Sequence, residues 1–593
     1  MNRLGYVYVN KTTEWVDAKN GGNKHVDHKK QCIGMSLHPG EDWKSDRRMY
    51  ANEAYYKIYG QDQAAPTPQE TPPDVYSEYP DRSDCVSVGL YTVTRHLADE
   101  TQLTDTLCDA FGSSRTHLIL DLAMYMLSAN SAVFQHYPHW AKSHAIFSES
   151  VRSDSYISDF EKNGITLSEI NLFKRKWARL VLDDGRVFVC YDSTNVNSQA
   201  DGIFIVQKGH AKDDADKDQV NTEYTIRQRD GMPITFKNFP GSINDMSEAS
   251  DMIGELRALI EDDPDDGSAG SGEKIKPQIV LIADRGYVSE ENITEMRNSG
   301  IGFILMLRKN MGIVNELLDQ HIPEVKKTGN YDDKTGRIGI TFSRKFFDED
   351  LVDTFFHIVW DGELERKHRD ELMRTVSATE AKLKKAAARH TRMTDLEIRN
   401  AELYFHISCH EEGTLVAKER GRGAEKHASV SAYVIDSFSQ DQDAIDKASN
   451  RCGYMVLVSS ERMTSVEAME AMSRRDCVEK TFRALKSSLG MDKMGVYFEA
   501  SLHAKSLIWF VASILRALIF SKTEKLRTKD RKRSTVPSLV DQYEEITAVK
   551  ELAKGTYQRR YKLTKEQRLD LAPFGVTLEM IDSDIADLSS DQR

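Results

Sequence analysis

The sequence predicts an α/β protein organised on a sheet that is buried on both faces. Two observations carry this. Four short runs, 186–191 (RVFVCY), 277–283 (PQIVLIA), 303–307 (FILML) and 453–459 (GYMVLVS), are almost continuously apolar, as strands covered on both faces are. Around them lie stretches with apolar residues at i, i+3 and i+4, the spacing of helices that pack by one face. A third observation concerns size: 593 residues are too many for one core, so several domains are expected.

Residues 1–63 read as a small α+β region, with strand-like GYVYVN and QCIGMSL before a helical RRMYANEAYYKIYG. His25, His28, Cys32 and His38 match no common zinc-ligand spacing. Residues 64–84 hold Pro66, Pro68, Pro72, Pro73 and Pro80, which marks a stiff linker and a domain boundary. From 85 to 178 the pattern is helical throughout.

The segment 179–319 changes texture. Its first buried strand, 186–191, ends directly in Asp192. Strand candidates follow at 203–207, 223–228 and 234–239, then a helix to residue 260 and an acidic Gly/Ser-rich loop at 262–274. The strand at 277–283 again ends in a carboxylate, Asp284, and a helix and the 303–307 strand complete the run. Residues 320–452 interrupt this texture with strand-like pieces around a charged helix near 363–398, and read as an insertion. Residues 453–521 restore the strand texture. Their apolar run 507–520 is shorter than a membrane span, contains Arg516, and reads as a buried helix. The tail, 522–593, has basic patches at 522–533 and 557–568 and reads as helical.

Composition narrows the setting. Hydrophobic content of 40% with 29% charged residues fits a soluble protein without a membrane partner. Seven cysteines stand singly, as in a reducing compartment, and no charged and apolar leader opens the chain, so a cytoplasmic location is expected. A net charge of −13 argues mildly against a polyanionic partner, but the acidic loop and basic tail separate the charges, so the sum does not decide.

The stretch 472–486 (MSRRDCVEKTFRALK) carries the chemistry. Wound as one helix at ~100° per residue, it puts Arg475, Glu479 and Lys486 within about 40° of one another. Val478, Phe482, Leu485 and Leu489 fill the adjoining side. Alone, the polar stripe is an i,i+4 Arg–Glu pair worth about 0.2–0.5 kcal/mol, and either strand-ending aspartate alone is a turn former. Together, Asp192, Asp284 and Glu479 are three hard oxygen donors suited to Mg²⁺ or Mn²⁺, flanked by two cations suited to phosphate. Two such ions could serve phosphoryl transfer. No phosphate-binding GxxxxGK[ST] loop, G-x-S-x-G elbow or HExxH helix offers a competing chemistry.

Asp192 in YDSTN, Asp284 in IADRGY, and R-x3-E-x6-K at Arg475, Glu479 and Lys486 resemble the DDE transposases of bacterial insertion sequences, in the branch with the Y-x2-R-x3-E-x6-K signature. The likeness spans roughly residues 85–520. It implies an RNase H-like mixed-sheet catalytic core in two parts, 179–319 and 453–521, interrupted by the β-rich insertion 320–452. It also implies catalytic and metal-binding roles for Asp192, Asp284 and Glu479 with about two Mg²⁺ or Mn²⁺ ions, and DNA contacts by Arg475, Lys486 and Arg285. The partners would be double-stranded DNA, from element ends and target, and a second copy of the chain. The helical stretch 85–178 would be the first candidate for reading DNA ends, and the basic tail the second. The signature tyrosine falls on Met472, which has neither the hydroxyl nor the ring that the resemblance implies near the cleaved end. Two other classes remain: an RNase H-like nuclease that cuts without joining, and a non-catalytic DNA-binding remnant. Strand-transfer products would exclude the first, and any metal-dependent cleavage the second.

Overall fold

The computed structural model describes residues 6–16, 24–36, 49–60, 83–182, 185–209, 217–243, 245–260, 277–347, 350, 353–418, 427–526, 535–551 and 555–590. The chain divides into two compact units, Met1–Ser83 and Asp84–Arg593. In the first, Tyr6–Val16, Lys24–Ser36 and Met49–Ala51 form an antiparallel sheet over a small core of Val7, Ile33, Met49 and Tyr55. The stretch expected to be one helix is divided by Asn52. Its side-chain oxygen accepts from the amides of Ala54 and Tyr55, so Met49–Ala51 stays a strand and the helix begins at Glu53. The expected linker and His38 lie outside the described residues, except for Ser83 and Asp84.

The second unit is built on one mixed sheet. Its labelled strands are β1 (Arg186–Asn197), β2 (Asp218–Arg227), β3 (Met232–Pro240), β4 (Gln278–Ala283), β5 (Gly302–Met306), β6 (Arg337–Arg344), β7 (Thr354–Trp360) and β8 (Tyr454–Ser459). Across the sheet the order is Tyr331–Asp332, β6, β7, β8, β5, β4, β1, β2 and Gln207–Lys208, with β3 also on β2. β1, β4 and β5 are mutually parallel and the other pairs are antiparallel. Continuous apolar runs such as QIVLIA are what a parallel centre covered on both faces requires. The strand expected at 203–207 shrinks to Gln207–Lys208.

Three helices follow β8: α1 (Ser465–Ser473), α2 (Asp476–Ser488) and α3 (Glu499–Lys522). α3 is long and apolar enough to cross a membrane, but 83% of its most apolar window is buried inside the protein. It packs against β3 and against the helices Ser113–Ala129 and Asp154–Asn163. The helical stretch 85–178 therefore shares one core with the sheet. The tail is not purely helical: Thr547–Glu551 pairs with Thr556–Arg559 and with Cys85–Ser87, strands too short to leave a periodic pattern. The basic run at 522–533 lies mostly outside the described residues.

The segment 320–452 divides in two. β6 and β7 extend the large sheet, β7 pairing antiparallel along the free edge of β8 and β6 along β7. The remainder stands on its own core, where helices Gly362–Arg389 and Asp395–Glu402 cover a separate sheet of Met393–Thr394, Phe405–Lys418 and His427–Gln440. The expected helix at 363–398 breaks at His390, whose φ of 48° is left-handed.

His357 on β7 joins three strands. Its Nδ1 lies 2.9 Å from Thr341 Oγ1 on β6 and its Nε2 lies 2.9 Å from Ser459 Oγ on β8. Burial pulls its pKa down to about 4, against a smaller upward pull from Glu467. An unfolded-chain histidine titrates near 6.5, so between those values the unfolded state binds the proton. The stabilisation from the neutral ring is complete above about pH 6.5 and is lost as pH falls towards 4, on the order of 3 kcal/mol. The urea midpoint is expected to drop between about pH 7.5 and pH 4.5, and to drop less in His357→Gln. Equal drops in both proteins would contradict this.

Candidate active site

The sheet brings the two aspartates together. β1 and β4 pair in parallel up to Cys190 opposite Ile282. Asp192 and Asp284 each lie two residues further on in this register, just past the end of the pairing. β1 does not end at Asp192 as the sequence suggests. It loses β4 as a partner there but keeps β2 through Asn197 opposite Gln219, so Asp192 sits inside a strand whose one edge has opened. Asp284 closes β4 and caps the turn Arg285–Tyr287, accepting the Arg285 amide at 2.7 Å.

α2 supplies the third acid. The expected single helix over 472–486 is two. α1 ends at Ser473, and i→i+3 bonds from Arg475, Cys477 and Val478 tighten the junction before α2 runs on. Successive strand residues alternate between faces, so Cys190 and Asp192 point the same way, with Tyr224 of β2 opposite Asp192. α2 covers that face: Phe482 meets the Tyr224 ring edge-on at 5.8 Å, and Val478, Phe482 and Leu485 are buried.

Arg475 is the hub. Its guanidinium donates to Asp192 Oδ2 at 3.2 Å and to Glu479 Oε1 at 3.0 Å. Its side chain is 15% exposed, Asp192 24% and Glu479 55%. Burial works against the guanidinium's charge, but the fields of Asp192, Asp284 and Glu479 outweigh it and raise its pKa above the ordinary arginine value. The i,i+4 pair read from the sequence is thus present, and Arg475 carries it on to Asp192.

Lys486 lies half-buried in the last turn of α2, about 10 Å along the helix from Glu479. Arg285 is exposed beside Asp284. Met472 is buried in the core, which accounts for an apolar residue there. Sequence reasoning missed Arg308, whose Nε and Nη2 donate to the carbonyls of Arg285 (3.0 Å) and Gly286 (3.2 Å) and brace the turn under Asp284. An arginine directly after a buried strand, FILML, was the available signal.

By chemistry the carboxylates of Asp192, Asp284 and Glu479 are hard oxygen donors of the kind a divalent cation takes, and all three act on the charge of Arg475. Among the described residues, no three acidic, histidine or cysteine side chains stand close enough to share an ion. The Arg475 guanidinium holds the place between Asp192 and Glu479.

A cleft of about 790 Å³ opens between residues 132–135, 154–161 and 490–505. Buried Glu161 and Lys505 line it, and Tyr497 and Phe498 stand exposed at its rim. Burial pushes Glu161 up to about 7, against a downward pull from Lys505. The 490–498 loop is tied to the end of β1 by the Met494 amide, which donates to Asn197 O at 2.9 Å.

A family model described as the transposase DDE domain matches residues 183–515, more than half of the chain. No curated protein matches significantly. A cryo-EM structure of the piggyBac transposase synaptic complex with hairpin DNA is similar at 9% identity, covering 79% of this chain and 84% of that one. Its TM-score of 0.29 is too low to carry an inference.

Proposed function

The chain belongs to the transposase DDE-domain family, and from that premise we propose that it is the transposase of an insertion sequence, cutting DNA at the element's ends and joining them to target DNA. One observation carries this reading: Asp192 and Asp284 lie in register just past the pairing of two adjacent parallel strands, while Arg475 ties Asp192 to Glu479. The order β3-β2-β1-β4-β5, an antiparallel meander extended by two parallel strands, supports an RNase H-like core. The part of 320–452 that has its own core, from the helix Gly362–Arg389 to the strand His427–Gln440, then enters as an insertion ahead of the glutamate helix.

In this reading Asp192, Asp284 and Glu479 hold Mg²⁺ or Mn²⁺. Two such ions, when bound, stabilise both the attacking and the leaving oxygen of a phosphoryl transfer. The sheet fixes two of the carboxylates through backbone geometry, and α2 presents the third across from them. Arg475 neutralises the acids before DNA arrives and offers a fork suited to a phosphate, and Lys486 adds a point charge further along the helix. Arg285 faces the same substrate from the turn after β4. Hydrolysis at an element end frees a 3′-OH, which the site then aligns with a phosphodiester of the opposite strand or of target DNA. Pairing two ends calls for a homodimer on double-stranded DNA, working in the cytoplasm.

The cleft that residues 132–135 and 154–161 share with the 490–498 loop supports a part for residues 85–178 in holding DNA ends, facing the exposed rings of Tyr497 and Phe498 as stacking surfaces. Lys486→Ala is expected to weaken binding of terminus DNA and to reduce the slope of log K against log salt by about 0.9, one phosphate contact. An unchanged slope would remove Lys486 from the DNA.

Joining separates a transposase from a nuclease. Protein given pre-cut terminus DNA with a 3′-OH, supercoiled plasmid and Mg²⁺ is expected to yield covalent joint molecules. Cleavage without any joining would favour the nuclease.

A further inference from the structure

The helix Gly362–Arg389 buries Val376, Leu383 and Ala386 against the separate core and leaves its other side to solvent. On that side Lys367, Arg374, Lys385 and Arg389 fall within ~60° of one another around the helix axis. All four are exposed, and among the described residues none of them makes a hydrogen bond or an ion pair. Elsewhere on the same helix, Arg369, Lys382 and Lys384 are held by Glu365, Glu397 and Glu380 at 2.7, 2.7 and 2.6 Å. Glu371 is the acid within the stripe, and from Arg374 to Arg389 the stripe has none. A solvated helix gains from alternating signs, whereas a row of unpaired cations repels itself. In a chain of net charge −13, such a row fits an anionic partner better than solvent alone.

The stripe begins at the sheet edge that carries the acids. β5 runs parallel to β4, and Arg308, just past its end, braces the turn after Asp284. Lys309 follows, and its Nζ lies 2.9 Å from His368 Nε2 and 3.1 Å from Nδ1, next to Lys367 on the helix. Among the described residues neither group is bonded to a carboxylate. Burial lowers the pKa of both, with the Lys309 charge adding to the effect on His368, and Glu371 pulls both the other way without bonding to either. An anion reaching this junction meets two nitrogen groups that no acid has claimed.

We propose that this stripe is a track for the phosphate backbone of double-stranded DNA, running from Lys309 and His368 along the helix to Arg389. Lys367 and Arg389 stand about 33 Å apart along the axis, which is about one turn of duplex. Contacts of this kind carry no sequence information; they fix the direction in which the duplex leaves the acidic site. The choice of DNA as the anion rests on the proposed function, whereas the unpaired stripe does not.

The full chain and a variant combining Lys367→Ala, Arg374→Ala and Lys385→Ala are titrated with terminus duplex over a range of KCl concentrations. The variant should bind more weakly, and its slope of log K against log salt should be shallower by about 2.7, or 0.9 for each of three phosphates. Arg374→Gln with Lys385→Gln, a second variant, should lose about 1.8. Lys382→Ala with Lys384→Ala, cations off the stripe, should keep the wild-type slope. Circular dichroism on the same samples should be unchanged, because every exchanged side chain is exposed. An unchanged slope in the triple variant, an equal drop in the off-stripe control, or a wild-type protein that binds no duplex would each overturn the track. A triple variant with the wild-type slope but an altered sedimentation coefficient would give the face to a protein partner instead. A wild-type protein that shows the slope difference but never cuts the duplex would count against the proposed function and leave the track standing. Cleavage with equal slopes would do the reverse.

Discussion

Asp192→Asn is expected to lose terminus cleavage by about 10³-fold or more, equivalent to about 4 kcal/mol of transition-state stabilisation, while retaining its fold and most of its DNA binding. The amide keeps an oxygen where Arg475 Nη1 now donates at 3.2 Å, so the hub is not left without an acceptor. What it lacks is the negative charge that a divalent ion needs. Asp192 is half-buried at the opened edge of β1, so the exchange removes no core packing. Asp284→Asn should behave alike, and Asp192→Asn with Glu479→Gln should be little worse than either alone, because groups that act as one unit are not additive. Single-turnover cleavage, with circular dichroism and a DNA-binding isotherm on the same samples, reads all three quantities. Full activity in either aspartate variant would remove that residue from the site.

Phe510→Ala is expected to lower the stability of the second unit by about 3–5 kcal/mol. Phe510 is fully buried in α3, where its ring lies 6.3 Å from Phe173, 5.8 Å from Tyr224 and 4.9 Å from Phe236. It therefore joins the helical stretch, the sheet and, through Tyr224 and Phe482, the helix that carries Glu479. Truncation opens a cavity among aromatic neighbours that are held by backbone on three sides and have little room to collapse. The urea midpoint should fall sharply, against a change within about 0.5 kcal/mol for Tyr497→Ala, whose ring is exposed. A loss below about 1 kcal/mol for Phe510→Ala would contradict the role of α3 as the shared core element.

Local pattern made part of this legible in the sequence. The strands at 278–283, 302–306 and 454–459 announce themselves because a strand buried on both faces has no reason to alternate. The Arg475–Glu479 pair follows from helical spacing alone. What stayed hidden depends on partners distant in the chain. β1 runs past Asp192 because β2 continues beside it, and no feature of YDSTN says so. The break between α1 and α2 leaves Arg475 and Glu479 on one face, so the spacing argument held although the helix was not continuous. β6 and β7 were assigned to an insertion from their place in the chain, yet β8 recruits them to the main sheet. The Arg475–Asp192 bond spans 283 residues and could not be read from either end.

The central claim, that three distant carboxylates form one catalytic centre, is tested most directly by end cleavage. Wild-type and Glu479→Gln proteins would be incubated with linear DNA carrying the element's own terminus, with Mg²⁺ or with EDTA. A nick at the terminus that requires the metal and is absent from the variant is the result this account predicts. Cleavage by Glu479→Gln at the wild-type rate, or wild-type binding of the terminus with no cleavage in Mg²⁺ or Mn²⁺, would contradict it.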